Sequence, residues 1–241
     1  MRLVVSVIGG VALAATVSIA STTTALAPDA VPVATPRATP IPGTTGLYDA
    51  AVAGGRLADD DRAPTHVRSV HGLLVPLAGA SVPEAEELLP NSPRQYRAGS
   101  HEGIDFPAGP GTPVLAAATG TIVRIDTDFA DWGAPAREAA LAGAMHLGYT
   151  PSRTLDLIRG RQVWIDHGAG IVTRYAHLSA VAPLALGARV AAGTQVGAVG
   201  SSGYPEGGPH LHFEIRVGED FLGNRLAGPR LARLLATAFR P

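Results

Sequence analysis

His210-Leu211-His212-Phe213-Glu214-Ile215 alternates polar and apolar side chains with a period of two. In an extended strand this puts both imidazoles on one face and turns Leu211 and Phe213 toward a core. Two imidazoles raised side by side from an apolar strand are costly to bury without a partner, and a metal ion is the usual partner. Gly207-Gly208-Pro209, just upstream, leaves the approach to that face open. The same texture recurs along the chain at 113–117, 120–125, 162–166 and 170–175, each run short, apolar and bounded by turn residues. Frequent β-branching and strand-like length in these runs predict a mostly β core.

One segment departs from this texture. Within 126–160, Pro135-Ala136-Arg137-Glu138-Ala139-Ala140-Leu141 continues to Leu147 and closes at Gly148. Thr150-Pro151 then opens a second helical stretch, with Leu155 and Ile158 on one face and Gly160 at its end. Proline near a helix start and glycine just past its end are boundary signals, so a helical hairpin inserted between two strands is expected. Leu231, Leu234, Leu235 and Ala238 share one face of a C-terminal helix, which is expected to pack on the sheet.

The 241 residues carry a formal charge of −1, and only 16% are charged and 5% aromatic, so the core rests on Ala, Val, Leu and Ile. A near-neutral balance argues against nucleic acid as a partner, since that needs a basic patch to displace counterions. The chain has no cysteine, which excludes disulfides, thiolate nucleophiles and Cys-ligated metal sites. It also has no lysine, which excludes Schiff-base chemistry and lysine-tethered cofactors. Met1-Arg2 followed by an apolar run over 3–17, with Ser18 and Ala20 at −3 and −1 of a cleavage site, reads as an export signal over 1–20. A second site after Ala27 is less favourable because Pro28 comes next. The run is short for a membrane span of about 20 residues, so an export signal is favoured over an uncleaved anchor. Pro28, Pro32, Pro36, Pro40 and Pro42, interleaved with Ala, Val and Thr, mark an extended linker after the signal. Residues 21–72 are therefore read as linker and weakly patterned chain, and 73–241 as the folded domain. The expected location is extracytoplasmic, with no membrane association once the signal is removed.

Two further motifs carry chemistry. In His101-Glu102-Gly103-Ile104-Asp105 the spacing of four puts His101 and Asp105 on one face of either a helix or a strand. Gly103 and Phe106-Pro107 favour an extended segment, with Ile104 toward the core. Tyr175-Ala176-His177-Leu178-Ser179 ends a strand on a histidine. His146, in the helical hairpin, and His167, in a turn, are left out of the site.

With Gly208-Pro209-His210-Leu211-His212-Phe213-Glu214, these motifs resemble, in order, the three signatures of the lysostaphin-like (LytM-domain) zinc metallopeptidases. Asp166-His167-Gly168 and the glycine-punctuated run from Gly187 to Gly200 are similar to that family too, and the likeness covers roughly 73–218. The resemblance implies a compact, mostly antiparallel β-sheet or sandwich with a substrate groove, one Zn2+ per chain, and cleavage of peptides in bacterial peptidoglycan, in its stems or cross-bridges. It further implies that His101, Asp105 and His212 hold the zinc, and that His177 and His210 are catalytic without ligating. The 126–160 hairpin departs from the shortest family members.

The chemistry agrees with that implication. Two imidazoles and one carboxylate leave a fourth tetrahedral position for water, as a catalytic zinc requires. No His-Glu-x-x-His helix supplies a glutamate base, so an unliganded histidine has to move the proton and a second to stabilise the oxyanion. The sequence does not divide these roles between His177 and His210. A catalytically silent wall-binding relative, or an activator of other wall hydrolases, is the rival reading, disfavoured because all five motif positions are intact. Biotinyl and lipoyl carriers share the glycine-rich β runs but need the lysine this chain lacks. Asn91, ten residues before His101, is read either as a plug on the metal or, more simply, as a turn residue in Asn91-Ser92-Pro93.

Overall fold

The computed structural model describes residues 70–240. The expected export signal over 1–20 and nearly all of the expected linker over 21–72 lie outside the described residues. The described elements run β1 Ile104–Pro107, β2 Pro113–Leu115, β3 Gly120–Ile125, α1 Ala134–Leu147, α2 Ser152–Arg159, β4 Val163–Gly168, β5 Ile171–Ala176, β6 Leu178–Val181, β7 Arg189–Val190, β8 Gln195–Val199, β9 His210–Val217, β10 Asp220–Phe221 and α3 Gly228–Ala238. A seven-stranded antiparallel sheet has the order β1-β9-β5-β4-β3-β7, with β10 on the far end of β9; a three-stranded sheet has the order β2-β8-β6. The fold is the mostly β, antiparallel one expected, with the helical hairpin between β3 and β4 and a helix at the C-terminal end.

β9 organises the larger sheet. Its alternation turns Leu211 and Phe213 inward, both fully buried, where Phe213 meets Phe106, Tyr175 and Phe239 with ring centroids 5.2–6.3 Å apart. Burying each such side chain contributes about 1.5–3 kcal/mol. β1 lies antiparallel to β9 in a register that sets Asp105 opposite His212, while β5 on the other side sets Ala176 opposite His212. Gly103 permits the approach of β1 to β9, because a β-carbon there would sit 2.4 Å from the Phe213 carbonyl oxygen.

α3 buries Leu231, Leu235 and Ala238, the face expected from the sequence, and Leu234 packs against the same core. Just beyond it Phe239 bridges Leu73, with the Leu73 N–H donating to the Ala238 carbonyl at 2.9 Å. The hairpin is anchored by Arg124 of β3, which donates to Asp156 of α2 at 2.7 Å and to Asp126 at 2.9 Å. Both hairpin helices end on glycines at positive φ, Gly148 at 76° in the left-handed conformation and Gly160 at 68°. Among the described residues no helix is long and apolar enough to cross a membrane.

Candidate metal centre

Strand register brings Asp105 and His212 face to face, and the turn into β1 carries His101 onto the same spot. Asp105 Oδ1 lies 2.9 Å from His101 Nε2 and 2.8 Å from His212 Nδ1, and the two imidazole nitrogens are 3.0 Å apart. His101 is 1% exposed and His212 7%. The outer nitrogens of both rings are committed elsewhere: His101 Nδ1–H donates to the Leu89 carbonyl at 2.9 Å, and His212 Nε2–H to Glu214 Oε1 at 3.1 Å. These bonds fix the tautomers that turn a lone pair of each ring inward.

Three acceptors thereby converge on one point, a donor set that fits a divalent cation. Their separations are close to the ~3.3 Å edge of a tetrahedron with zinc–ligand bonds of about 2.0–2.1 Å. Asp105 Oδ2, the oxygen turned away from the other two, is held by Arg94 at 2.6 Å. Without the cation, a proton takes its place. Burial disfavours a charged His212, but its bonds to Asp105 and Glu214 outweigh burial and push it up to about 9. Burial likewise raises Asp105, yet the two imidazoles hold its carboxyl well below the usual carboxylate range. Glu102, His212 and Glu214 also lie close together, but Glu102 pairs with Arg97 at 2.8 Å and Glu214 with Arg159 and Arg174, so their charges are already answered.

His177 and His210 flank the cluster without joining it. Their ring centroids are 4.6 Å apart, and His177 lies 5.8 Å from the His212 ring. His177 comes directly after β5 in a left-handed conformation at φ 59°. Its Nδ1–H donates to the Ser202 carbonyl at 2.9 Å, and burial, with His210 and His212 nearby, pushes its pKa down to about 3. His210 Nδ1–H donates to the Gly208 carbonyl at 3.0 Å, leaving Nε2 3.7 Å from Asp105 Oδ1. All five expected site residues therefore meet in one cleft of about 410 Å³. Its walls include the 93–97 segment and Leu155, Ile158 and Arg159 of the hairpin, and Tyr96 stacks on Tyr204 at 4.4 Å.

Sequence reasoning missed Arg94 and Arg159, whose partners lie 11 and 55 residues away. Nothing local marks either arginine. Asn91 proves to be a turn residue rather than a plug. Its Nδ2 donates to the Gly223 and Leu226 carbonyls at 2.7 and 2.9 Å, and its Oδ1 accepts from the Arg225 N–H. His146 is exposed, and His167 ties the Thr119 carbonyl to Thr173 Oγ1, so both stay outside the site.

A cleft with one carboxylate and two imidazoles converging as ligands, and two more imidazoles beside them, defines a mononuclear metallohydrolase centre. The sequence profile of Peptidase family M23 matches residues 99–223, and the chain belongs to that family. It is 36% identical over 117 residues to the DD-carboxypeptidase/endopeptidase Mpg of Neisseria meningitidis, covering 48% of this chain and 20% of that protein. An uncharacterized metalloprotease of Haemophilus influenzae is 30% identical over 138 residues, 57% of this chain and 22% of its own length. The chain thus spans about a fifth of the length of these relatives. Among solved structures, a zinc-containing peptidase from Vibrio cholerae aligns with TM-score 0.45 and 22% identity, over 66% of this chain and 40% of that one. The catalytic domain of lysostaphin from Staphylococcus simulans aligns with TM-score 0.39 and 26% identity, over 62% and 90%.

Proposed function

We propose that the protein is an exported zinc endopeptidase that hydrolyses peptide bonds of bacterial peptidoglycan, in its stems or cross-bridges. The convergence of His101, Asp105 and His212 inside a cleft, with two unliganded histidines beside them, carries this reading. In it, 73–241 is the peptidase domain, the upstream segment a linker, and 1–20 the export signal. The endopeptidase named in Neisseria, 36% identical over 117 residues, supports the reaction type.

His101, Asp105 and His212 are the ligands in this proposal. Zinc held there would supply a Lewis acid and an ionisable water whose pKa falls to about 7. The chain's own residues handle the protons. Each of His177 and His210 ties Nδ1–H to a backbone carbonyl, which leaves Nε2 as its open nitrogen. Between them they take the proton from the attacking water, steady the tetrahedral oxyanion and return the proton to the leaving amine. Arg94 holds Asp105 Oδ2, so that Oδ1 stays turned toward the imidazoles. The test is digestion of purified peptidoglycan by the zinc-loaded protein, with mass spectrometry of the released fragments. New amino termini within the peptide moiety are the expected result. Intact wall, under conditions where the protein holds one zinc, would overturn the proposal.

A further inference from the structure

Arg159 is the last residue of α2, at the C-terminal end of the inserted hairpin, and its side chain is 8% exposed. Its Nε donates to Glu214 Oε1, the same oxygen that accepts from His212 Nε2–H. Glu214 itself is 0% exposed, and Arg174 Nη1 approaches its other oxygen at 3.3 Å. The main-chain carbonyl of Arg159 has a second task. It accepts the His177 N–H at 2.8 Å, bracing the residue whose backbone sits at φ 59°. One residue of the insertion thus touches both arms of the site.

A ligand imidazole that coordinates through Nδ1 must keep its proton on Nε2, and a carboxylate accepting that proton fixes ring orientation and raises ligand basicity. The carboxylate can do so only while it stays charged and in place. A carboxylate buried away from water is costly unless a cation answers it. Arg159 is the nearest such cation, and it comes from a segment outside the three signature motifs. From these contacts we infer that Arg159 is a positioning residue of the metal centre, acting through Glu214 on His212, and that the inserted hairpin is thereby part of the catalytic apparatus rather than only a groove wall. The inference rests on the proposed role of His212 as a ligand.

The experiment measures zinc affinity by chelator competition in the full chain, for wild type, Arg159→Met, Glu214→Gln and the double variant. Arg159→Met keeps the carbonyl that His177 uses. Loss of an orienting partner of this kind typically lowers metal affinity about 10- to 100-fold, and that drop is expected for each single variant. If Arg159 acts through Glu214, the double variant loses no more than the weaker-binding single one. Cobalt-substituted protein should show an altered d–d absorption in both singles. Arg189→Met, at an exposed position on β7 at the end of the larger sheet and away from the hairpin, should leave zinc affinity and the cobalt spectrum as in wild type. Additive losses in the double variant, or an equal loss in Arg189→Met, would overturn the inference. So would zinc binding by Arg159→Met within twofold of wild type. Should Arg159→Met fail to fold, Arg159→Gln decides: its neutral, polar side chain removes the cation from Glu214 and must still weaken zinc and shift the cobalt spectrum. Absence of zinc binding by wild type would instead overturn the metal-centre reading, which separates the two failures.

Discussion

Asp105 divides its two oxygens between tasks, Oδ1 among the imidazoles and Oδ2 on Arg94, whereas His212 divides its two nitrogens between Asp105 and Glu214. Such divided residues tolerate no truncation. His212→Ala should lose stoichiometric zinc by elemental analysis while the fold, judged by far-UV circular dichroism, persists; undiminished zinc would remove His212 from the ligand set. His177 and His210 should behave in the opposite way. Neither stands in the triangle formed by His101, Asp105 and His212, His210 Nε2 lying 3.7 Å from Asp105 Oδ1. His177→Ala and His210→Ala should each keep one zinc and lose about 10²- to 10⁴-fold in turnover, the usual contribution of a general acid or base. Near-normal rates on a soluble peptide substrate would take that histidine out of the mechanism.

At the scale of elements, the hairpin meets the site through close backbone contact. A β-carbon on Gly203 would sit 2.4 Å from the Leu157 and Ile158 carbonyl oxygens, and Gly203 is at φ 81°. Trp132 Nε1–H donates to its carbonyl at 2.6 Å, and the neighbouring Ser202 carbonyl carries His177. Gly203→Ala should therefore combine left-handed strain with overpacking and cost about 2–5 kcal/mol, read as a fall in Tm together with reduced activity. A shift too small to measure would mean that α2 and the 202–203 loop are not packed as described. Asp156 gives a pH test of the same attachment. Burial pushes its carboxyl up, but the Arg124 guanidinium outweighs burial and holds it below the ordinary value of 3.8. Its stabilisation is then full above pH 3.8 and lost as pH falls through the lower folded-state value. The Tm gap between wild type and Asp156→Asn should stay level near neutrality and close as the pH drops below that range. Much of this element was legible: proline and glycine marked both helices, and alternation marked β9 and the face of its histidines. Pairing over distance stayed hidden. No local pattern links Arg159 to Glu214 or Arg94 to Asp105, because a buried ion pair joins residues that only the folded topology brings together.

For the whole molecule, the His101–Asp105–His212 cluster sits on the face of β9 opposite Phe213, so candidate site and core share one strand. β1, β5 and the 89–93 segment converge on it: the His101 N–H donates to the Ser92 carbonyl, and the Asn91 N–H to the His101 carbonyl. A cation that binds only this arrangement stabilises all of it at once. At a free zinc concentration a thousand times its dissociation constant, linkage adds about 4 kcal/mol to the stability of the native state. For a domain of this size each kcal/mol moves Tm by roughly 2–4 °C. Stripping zinc with a chelator should then lower Tm by roughly 8–16 °C, and restoring it should recover the loss. The His212→Ala protein supplies the control, since its Tm should respond little to either treatment. Because the unfolded chain offers no cysteine and only scattered histidines, competing zinc binding to the denatured state is weak, and the shift reports the native centre. A wild-type Tm indifferent to chelator at neutral pH would mean that the three residues meet without forming a zinc site.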